Sequence, residues 1–312
     1  MSTEEKVRVG VIGLGIMGSA MAANLVKAGF DVIGTDIEPD AKAALIRAGG
    51  KTVSSARDVG KACCYIILVL ASEAALYQVC DELAESCAQG TIVLETGTLP
   101  LAAKQKMHKL LAAKGIILID CTLSGNGSQA KCKDLTIYAS GDADAIQKVG
   151  LILDGFSRVH YNLGEFGNGT KMKFVANLLV AIHNVAAAEA ILLGVRSGLD
   201  PVNLVQAIGD GAGASRMFQV RGPMMATRTW DEEITMKNTS WQKDMKLIGD
   251  ALLAAGCPAP LFSACIPIYT AAVTGGHACH DIGAVYEILE RMTLSPAEKK
   301  QSAIKASLAS SL

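Results

Sequence analysis

The segment VRVGVIGLGIMGSAMAANLVKAG, residues 7–29, decides the fold of the N-terminal half of the chain. An apolar, β-branched run leads directly into Gly13, Gly15 and Gly18, and an Ala- and Leu-rich helical pattern follows. In such a turn the first glycine allows the tight bend, the second lets a pyrophosphate approach the backbone, and the third lets helix and strand pack closely. The segment therefore predicts a strand, a phosphate-binding turn and a helix whose N-terminus faces a dinucleotide.

An acidic residue at the end of the next predicted strand extends this pattern. Asp36 lies 18 residues beyond Gly18, where a carboxylate would bind both hydroxyls of a ribose. It precedes Ile37 and Glu38, with no neighbouring arginine or serine, so a 2′-phosphate would meet two acids and no cation. The sequence therefore favours NAD over NADP. The remaining cofactor contacts are expected from the turn, from Ile37 and from the ends of later strands: Leu14, Ile16, Met17, Leu70, Ala71 and Thr98.

Strand-like and helix-like runs alternate through the first half of the chain. The strand-like runs are Val7–Ile12, Val32–Thr35, Tyr65–Leu70, Thr91–Leu94, Ile116–Ile119, Leu135–Ala139 and Arg158–Tyr161. Helical stretches between most of them predict βαβ units and a parallel sheet, an α/β Rossmann-type domain over residues 1–164. Beyond this point the strand-like runs stop, and residues 165–312 are predicted to form an all-α domain, joined to the first by a long interdomain helix.

The composition excludes several classes of function. The chain of 312 residues is 50% apolar and 19% charged with a net charge of −1, so neither nucleic acid nor an anionic membrane surface is an expected partner. Its nine cysteines form no CxxC motif, and the N-terminus shows no apolar signal segment. We therefore expect free thiols in the cytoplasm. The short GHACHD segment, with His277, Cys279 and His280, is more typical of a helix-cap loop than of a metal site.

The most apolar stretch of the chain is KMKFVANLLVAIHNVAAAEAILLGVR, residues 171–196. Its length would allow a membrane span, but Asn177, His183, Asn184 and Glu189 interrupt it, so a buried helix of a soluble protein is the preferred interpretation. His183 is expected to be a core histidine. Further along the chain, Arg216 and Arg221 are expected at the surface or between domains, although they could clamp an acidic substrate, and Asp281 could either cap a helix or reach a neighbouring subunit.

Lys173 and Asn177 lie one helical turn apart, on one face of this apolar helix. Near an apolar cleft, lost hydration and a positively charged nicotinamide would both lower the pKa of a lysine, while a substrate carboxylate would raise it. A lysine tuned in this way could take the proton from a substrate hydroxyl, and Asn177 could hold the substrate oxygen or the ammonium. The same residues could equally be a solvated lysine and a structural asparagine.

Four segments together resemble the β-hydroxyacid dehydrogenase family, which includes 3-hydroxyisobutyrate dehydrogenase and tartronate semialdehyde reductase. Residues 13–29 are similar to its N-terminal signature GLGxMGxxMAxNLxKAG. DCTLSGNG at residues 120–127 resembles its substrate loop DxPVSGG, and residues 167–177 resemble its segment GxGxxxKxxxN. Lys243-Asp244 falls where the family has a Lys-Asp pair. The resemblance extends along nearly the whole chain.

This resemblance implies a role for each of these positions. Lys173 would be the general acid/base, and Ser124 would hydrogen-bond the reacting oxygen or the carboxylate. Backbone N–H groups near Gly125 and Asn126 would cradle the carboxylate, Asn177 would position the substrate, and Lys243 would line the site. The substrate would be a small β-hydroxy acid or its semialdehyde or keto acid, and the protein a homodimer or homotetramer.

Two departures from the family pattern bear on the substrate. Asn126 replaces the usual second glycine of the loop and Thr122 the usual proline. Asparagine tolerates a left-handed backbone, but its side chain would protrude toward the substrate and favour a more polar one. Two alternative functions are an imine reductase-like enzyme, against which Lys173 argues, and a non-catalytic NAD-binding scaffold or sensor.

Overall fold

An open β-sheet forms the centre of the first of the two units into which the chain divides, Met1–Ala176 and Asn177–Leu312. The computed structural model describes residues 6–232 and 234–293. The strands found there are β1 (Arg8–Ile12), β2 (Asp31–Thr35), β3 (Lys51–Thr52), β4 (Tyr65–Leu68), β5 (Ile92–Glu95), β6 (Ile117–Ser124), β7 (Thr136–Ser140) and β8 (Val159–Asn162). Their order in the sheet is β3-β2-β1-β4-β5-β6-β7-β8.

Helices cover both faces of this sheet. They are α1 (Ile16–Lys27), α2 (Pro39–Arg47), α3 (Ala56–Ala62), α4 (Glu73–Ala84), α5 (Leu101–Ala112), α6 (Gly127–Lys131), α7 (Ala143–Lys148) and α8 (Gly150–Phe156). Neighbouring strand residues alternate between two cores, so that Ile67 packs in the core with Met21 and Leu25 of α1, and Ile66 in the core with Leu76 of α4. Burial on both faces explains why these strands are continuous apolar runs in the sequence.

The predicted α/β fold is confirmed, with one correction to the sheet. Strands β6 and β7 are antiparallel, pairing Asp120 with Ser140 and Ser124 with Thr136, whereas the other pairs are parallel. The connection between β6 and β7 holds only the short helix α6. A parallel return needs a crossover of a dozen or more residues, so the chain turns back antiparallel instead. The two-residue strand β3 was not predicted, because Lys51-Thr52 carries no apolar pattern.

The second unit is helical, and a long helix enters it from the first. This helix, α9 (Asn168–Arg196), has 29 residues and continues through the unit boundary. The helices that follow are α10 (Pro201–Gly209), α11 (Arg216–Thr227), α12 (Asn238–Ala254), α13 (Pro260–Ala272) and α14 (Val285–Thr293). By length and composition α9 could cross a membrane, and 39% of its most apolar window is buried. The helix is therefore only partly buried, since Leu179 and Leu193 are exposed.

A buried ion pair holds the second unit together near its last helices. Arg221 Nε lies 2.8 Å from Asp281 Oδ1, and both side chains are 5% exposed or less. Asp281 also accepts hydrogen bonds from the amides of Thr235, Met236 and Gly283, the last as the cap of a 3₁₀ turn. Arg221 is thus not a surface or interdomain residue, and Asp281 caps a turn within its own chain. Burial alone would raise the pKa of Asp281, but Arg221, the Thr235 hydroxyl and the Gly283 amide hold it below 3.8.

We expect Asp281→Asn to lower the free energy of unfolding at pH 7 by about 3 kcal/mol, because it leaves the Arg221 charge buried without a counter-ion. The carboxylate stabilises the fold above the unfolded pKa of 3.8 and loses this effect as pH falls through its lower folded value. The difference from wild type, measured by urea denaturation, should therefore shrink in acid. Asp250→Asn, at an exposed pair with Lys246, is the matched control and should cost less than about 1 kcal/mol.

Candidate active site

Contacts at the glycine turn explain each of its glycines. Gly13 has a φ of +93°, and a Cβ there would lie 2.3 Å from the Val69 carbonyl oxygen. A Cβ on Gly18 would lie 1.9 Å from the carbonyl oxygen of Gly13, so α1 can approach β1 only with glycine at this position. Gly15 caps α1 and has open space where its Cβ would be. The turn is therefore closed on the protein side and open at the helix N-terminus, where a phosphate would bind.

Asp36 holds the glycine turn in place from the end of β2. Its Oδ2 accepts a hydrogen bond of 2.5 Å from the amide of Leu14, and its Oδ1 accepts one of 2.9 Å from the amide of Glu38. The sequence pattern predicts that this carboxylate binds the ribose, and its hydrogen bond to Leu14 also fixes the backbone between Gly13 and Gly15. A substitution at Asp36 will therefore disturb the turn as well as any ribose contact.

A cavity of about 720 Å³ opens at the carboxyl ends of β1, β2 and β4. This is the point at which the strand order reverses, where open α/β sheets bind their ligands. The predicted cofactor residues that line it are Gly13, Gly15, Asp36, Ile37, Leu70 and Ala71. Those outside its lining are Leu14, Ile16, Met17, Gly18 and Thr98. The open glycine turn, the helix N-terminus and the acid at the β2 end together fit a dinucleotide.

The same cavity is lined by residues that the sequence analysis missed. They include Lys42, Ser54, Ser55, Gln78 and Glu82. Lys42, in the first turn of α2, lines the same cavity as Asp36 and is a cation that the motif around Asp36 does not include. The signal was available in the sequence, since Glu38-Pro39 marks a helix start and Lys42 falls one turn into that helix.

The predicted substrate loop begins at the end of β6. Ser124 closes the strand and is half-buried, and Gly125 follows with a φ of +139°, a conformation that L side chains rarely adopt. Asn126 has an extended backbone with a φ of −114°, so the left-handed conformation that asparagine tolerates is not used here. Its Oδ1 accepts from the Gln129 amide, and its own amide donates to Gln129 Oε1 at 3.2 Å. Asn126 therefore caps α6.

The start of α9 packs directly onto the strands of the first unit. Gly167 has a φ of +98°, and a Cβ on Gly169 would lie 2.4 Å from the carbonyl oxygen of Tyr138. Thr122, at the position of the usual proline, donates from Oγ1 to the Gly169 carbonyl oxygen at 2.8 Å. Thr122 and Ser124 share one face of β6, because side chains alternate along a strand. Lys173 is half-buried and follows one turn after Gly169.

The predicted site residues of the second unit form a cluster of their own. Asn177 is 4% exposed, and its Nδ2 donates to Asp244 Oδ2 at 2.9 Å. Lys243 Nζ lies 3.1 Å from Asp244 Oδ1, and 43% of the Lys243 side chain is exposed. Asp244 thus joins the two predicted substrate residues, although the sequence analysis gave it no role of its own.

His183 is not a core residue, and the two histidines of the GHACHD segment contact each other. His183 is half-buried and lines a separate cavity of about 530 Å³ in the second unit, so its assignment to the core is wrong. In the GHACHD segment, the Nδ1 atoms of His277 and His280 lie 3.0 Å apart, and His277 Nε2 lies 3.3 Å from Glu287 Oε2. Burial lowers the pKa of His277, against the opposing effect of Glu287.

Comparison with known proteins agrees with this geometry. A family model described as the NAD binding domain of 6-phosphogluconate dehydrogenase matches residues 8–164. A second, described as NAD-binding of NADP-dependent 3-hydroxyisobutyrate dehydrogenase, matches residues 167–289. The chain belongs to the β-hydroxyacid dehydrogenase family. The resemblance inferred from the sequence motifs is therefore confirmed.

Relatives in this family carry several substrate names. The chain is 31% identical to the L-threonate dehydrogenase of Cupriavidus necator over 92% of its own length and 97% of the relative. It is 28% identical to the NAD-dependent L-serine dehydrogenase of Pseudomonas aeruginosa, over 91% and 98%. The crystal structure of a 3-hydroxyisobutyrate dehydrogenase from Salmonella typhimurium superposes with a TM-score of 0.83 at 28% identity, over 91% and 100%. These named dehydrogenases support an oxidoreductase, and the family models indicate that it binds NAD or NADP.

Gly15 provides a test of the cofactor turn. Gly15→Ala adds a methyl group in open space, so we expect an unchanged melting temperature. The same methyl group would obstruct the pyrophosphate and raise the dissociation constant of NADH about tenfold, or about 1.4 kcal/mol, measured by fluorescence titration. Gly150→Ala, also in open space at the start of α8, is the control and should leave NADH binding unchanged. Equal binding by both variants would contradict the placement of the phosphates.

Proposed function

We propose that the protein is an NAD-dependent oxidoreductase that interconverts a small β-hydroxy acid and its semialdehyde or keto acid, with Lys173 as general acid/base. The observation that carries this proposal is the start of α9, fixed against β6 by Thr122 and Gly169 one turn before Lys173. A lysine on such a rigid element keeps a constant position relative to a substrate held at the end of β6.

Each residue has a task in this reaction. A nicotinamide cofactor held by the glycine turn and Asp36 would supply the hydride chemistry at the substrate carbon that bears the hydroxyl group. Lys173 takes the hydroxyl proton in oxidation and returns it in reduction. Ser124 donates a hydrogen bond to the reacting oxygen or to the carboxylate. The amide of Gly125 contributes to the carboxylate cradle, whereas the amide of Asn126 is already donated to Gln129.

Asn177 and Lys243 are the other proposed substrate residues. Asn177 donates to Asp244, which fixes the orientation of its amide group. Its amide oxygen then has a defined direction in which to accept a hydrogen bond from a substrate hydroxyl. Lys243, partly exposed beside Asp244, supplies a positive charge for the substrate carboxylate.

The proposed substrate class is a small, polar hydroxy acid. Relatives are named for L-threonate, L-serine and 2-(hydroxymethyl)glutarate, which all carry a carboxylate and a hydroxyl group. The departure at Asn126 does not support this choice by itself, because its Oδ1 is taken up by the cap of α6. Support comes instead from Ser124, Asn177 and Lys243, which offer one hydroxyl, one amide and one cation.

NAD is the proposed cofactor. One residue of the cavity supports NAD, and another would favour NADP. Asp36 at the end of β2 supports NAD, since a carboxylate repels a 2′-phosphate and accepts from both ribose hydroxyls. Lys42 in the same cavity would attract that phosphate. We give Asp36 more weight, because both of its oxygens are fixed by backbone amides, whereas a lysine ammonium stands on a flexible four-carbon stem.

The proposed setting is the cytoplasm, with a homodimer or homotetramer as the working state. All nine cysteines are free thiols, as a reducing compartment would leave them. Exposed apolar side chains along the second-unit part of α9, Leu179 and Leu193 among them, offer a surface that self-association would bury.

The proposed reaction is tested by NADH formation at alkaline pH across a panel of acids: 3-hydroxyisobutyrate, 3-hydroxypropionate, glycerate, threonate and L-serine. We expect turnover on a polar member, and a loss of about 10²- to 10⁴-fold in kcat for Lys173→Ala with NADH binding retained. Lys171→Ala removes a neighbouring exposed lysine and should keep wild-type kinetics. NADH binding without turnover on any member or in the reductive direction would favour the scaffold, and turnover on cyclic imines alone would favour an imine reductase.

Cofactor choice is tested by the double substitution Asp36→Ser, Ile37→Arg. The serine keeps an acceptor near the Leu14 amide, and the arginine adds a second cation beside Lys42. We expect the ratio of kcat/KM for NAD to that for NADP to fall by about 10²-fold, since a charge-assisted contact replaces repulsion. Lys42→Met is the complementary variant and should raise the same ratio. An unchanged ratio in the double variant would contradict the role given to Asp36.

A further inference from the structure

Three ionisable side chains in the first unit are fully buried together, outside the predicted site. Lys104 Nζ lies 2.5 Å from Glu95 Oε2 and 2.8 Å from Asp120 Oδ1, and all three side chains are 0% exposed. They come from the end of β5, the first turn of α5 and the middle of β6. We refer to these three residues as the charge triad.

Stability alone does not explain the charge triad. Two acids and one lysine lose their hydration in this position, and apolar residues of similar size are often as stabilising as a buried ion pair. Burial alone would lower the pKa of Lys104, but the two carboxylates raise it above 10.5, so Lys104 stays charged at neutral pH. What distinguishes such a network from apolar packing is that its hydrogen bonds fix directions.

Asp120 of the charge triad fixes the start of α9. Asp120 Oδ2 accepts from the Thr170 amide at 2.7 Å, and Asp120 Oδ1 accepts from Thr170 Oγ1 at 2.8 Å. Ser140 Oγ accepts from the Gly169 amide at 2.9 Å and lies 3.4 Å from Asp120 Oδ2. The Asp120 carboxylate on β6 therefore accepts a hydrogen bond from an amide in the first turn of α9. Its negative charge also interacts favourably with the positive end of the helix dipole.

Glu95 of the charge triad fixes the loop after β5. Glu95 Oε1 accepts from the Gly97 amide at 2.8 Å, and a Cβ on Gly97 would lie 2.7 Å from the same oxygen. This loop carries Thr98, one of the predicted cofactor contacts. Lys104 thus joins, through two ion pairs, the loop at the carboxyl edge of β5 and the helix turn that precedes Lys173.

We propose that Glu95, Lys104 and Asp120 are positioning residues that set where Lys173 stands relative to the loop after β5. This inference rests on the proposed function, in which Lys173 transfers the proton. Lys173 lies three residues beyond Thr170, so a shift or tilt of the first turn moves it directly. A displacement of about 1 Å is enough to cost about 10²-fold in rate where reacting groups must be aligned.

Thr170→Val tests the inference without unpairing the charge triad. It removes the hydroxyl group that donates to Asp120 but keeps the volume of the side chain and the hydrogen bond from the Thr170 amide. Both ion pairs of Lys104 also remain, so the protein should fold. We expect kcat to fall about tenfold, with the dissociation constant of NADH and KM for substrate within about twofold of wild type. Thr170→Ser keeps the hydroxyl and should restore kcat.

Ser157→Ala is the matched control, since it also removes a buried hydroxyl of the first unit, one that donates to the Leu153 carbonyl at the end of α8. It should lose a similar amount of stability and keep wild-type kcat. A loss of kcat in Ser157→Ala equal to that in Thr170→Val would overturn the inference, because general destabilisation would then explain both. Wild-type kcat in Thr170→Val would overturn it as well.

A second substitution separates this inference from the proposed function. In a Lys173→Ala background, Thr170→Val should cause no further loss of kcat, because the residue that it displaces is gone. A further tenfold loss in that background would overturn positioning through Lys173 and leave the proposed function intact. Wild-type turnover of Lys173→Ala alone would instead overturn the proposed function, and the inference with it.

Discussion

The buried N-terminus of α9 is the constraint on which the rest of the structure depends. A helix that begins inside a protein leaves amides without partners in its first turn, and each must find an acceptor. Here Asp120 and Ser140, on the antiparallel pair β6 and β7, accept from Thr170 and Gly169. Asp120 is a buried charge and in turn requires Lys104. The apolar helix can therefore begin against the sheet only because a polar cluster lies under its first turn.

The fold was predictable where local sequence and local structure agree. Strands buried on both faces are continuous apolar runs, and the glycine turn specifies the strand before it and the helix after it. The antiparallel pairing of β6 with β7 follows from the length of their connection, which the apolar pattern does not express. The strand β3 has two residues and a polar sequence, so the apolar pattern could not predict it.

The candidate site was predictable only at positions where a residue type serves a single structural purpose, such as glycine where a Cβ would not fit. Gly13 and Gly18 have such a use, since a Cβ at either would overlap the backbone. Lys104 illustrates the opposite case, because in the sequence it is one lysine of an apparently ordinary amphipathic helix, and its two partners lie 9 and 16 residues away on different strands. Arg221 and Asp281 are likewise 60 residues apart. Long-range polar pairs need the fold before they can be recognised.

The substrate loop shows why a departure from a family pattern has to be examined in three dimensions. Asparagine in place of glycine at position 126 is compatible with a left-handed backbone, and it suggested a side chain directed at the substrate. The backbone is extended, so glycine has no conformational advantage there, and the side chain satisfies the first turn of α6 through Gln129. The residue that does require glycine is Gly125, with its φ of +139°. Selection of the substrate therefore has to come from groups whose hydrogen bonds are not already used inside the loop, and Ser124 at the end of β6 is the proposed candidate on that strand.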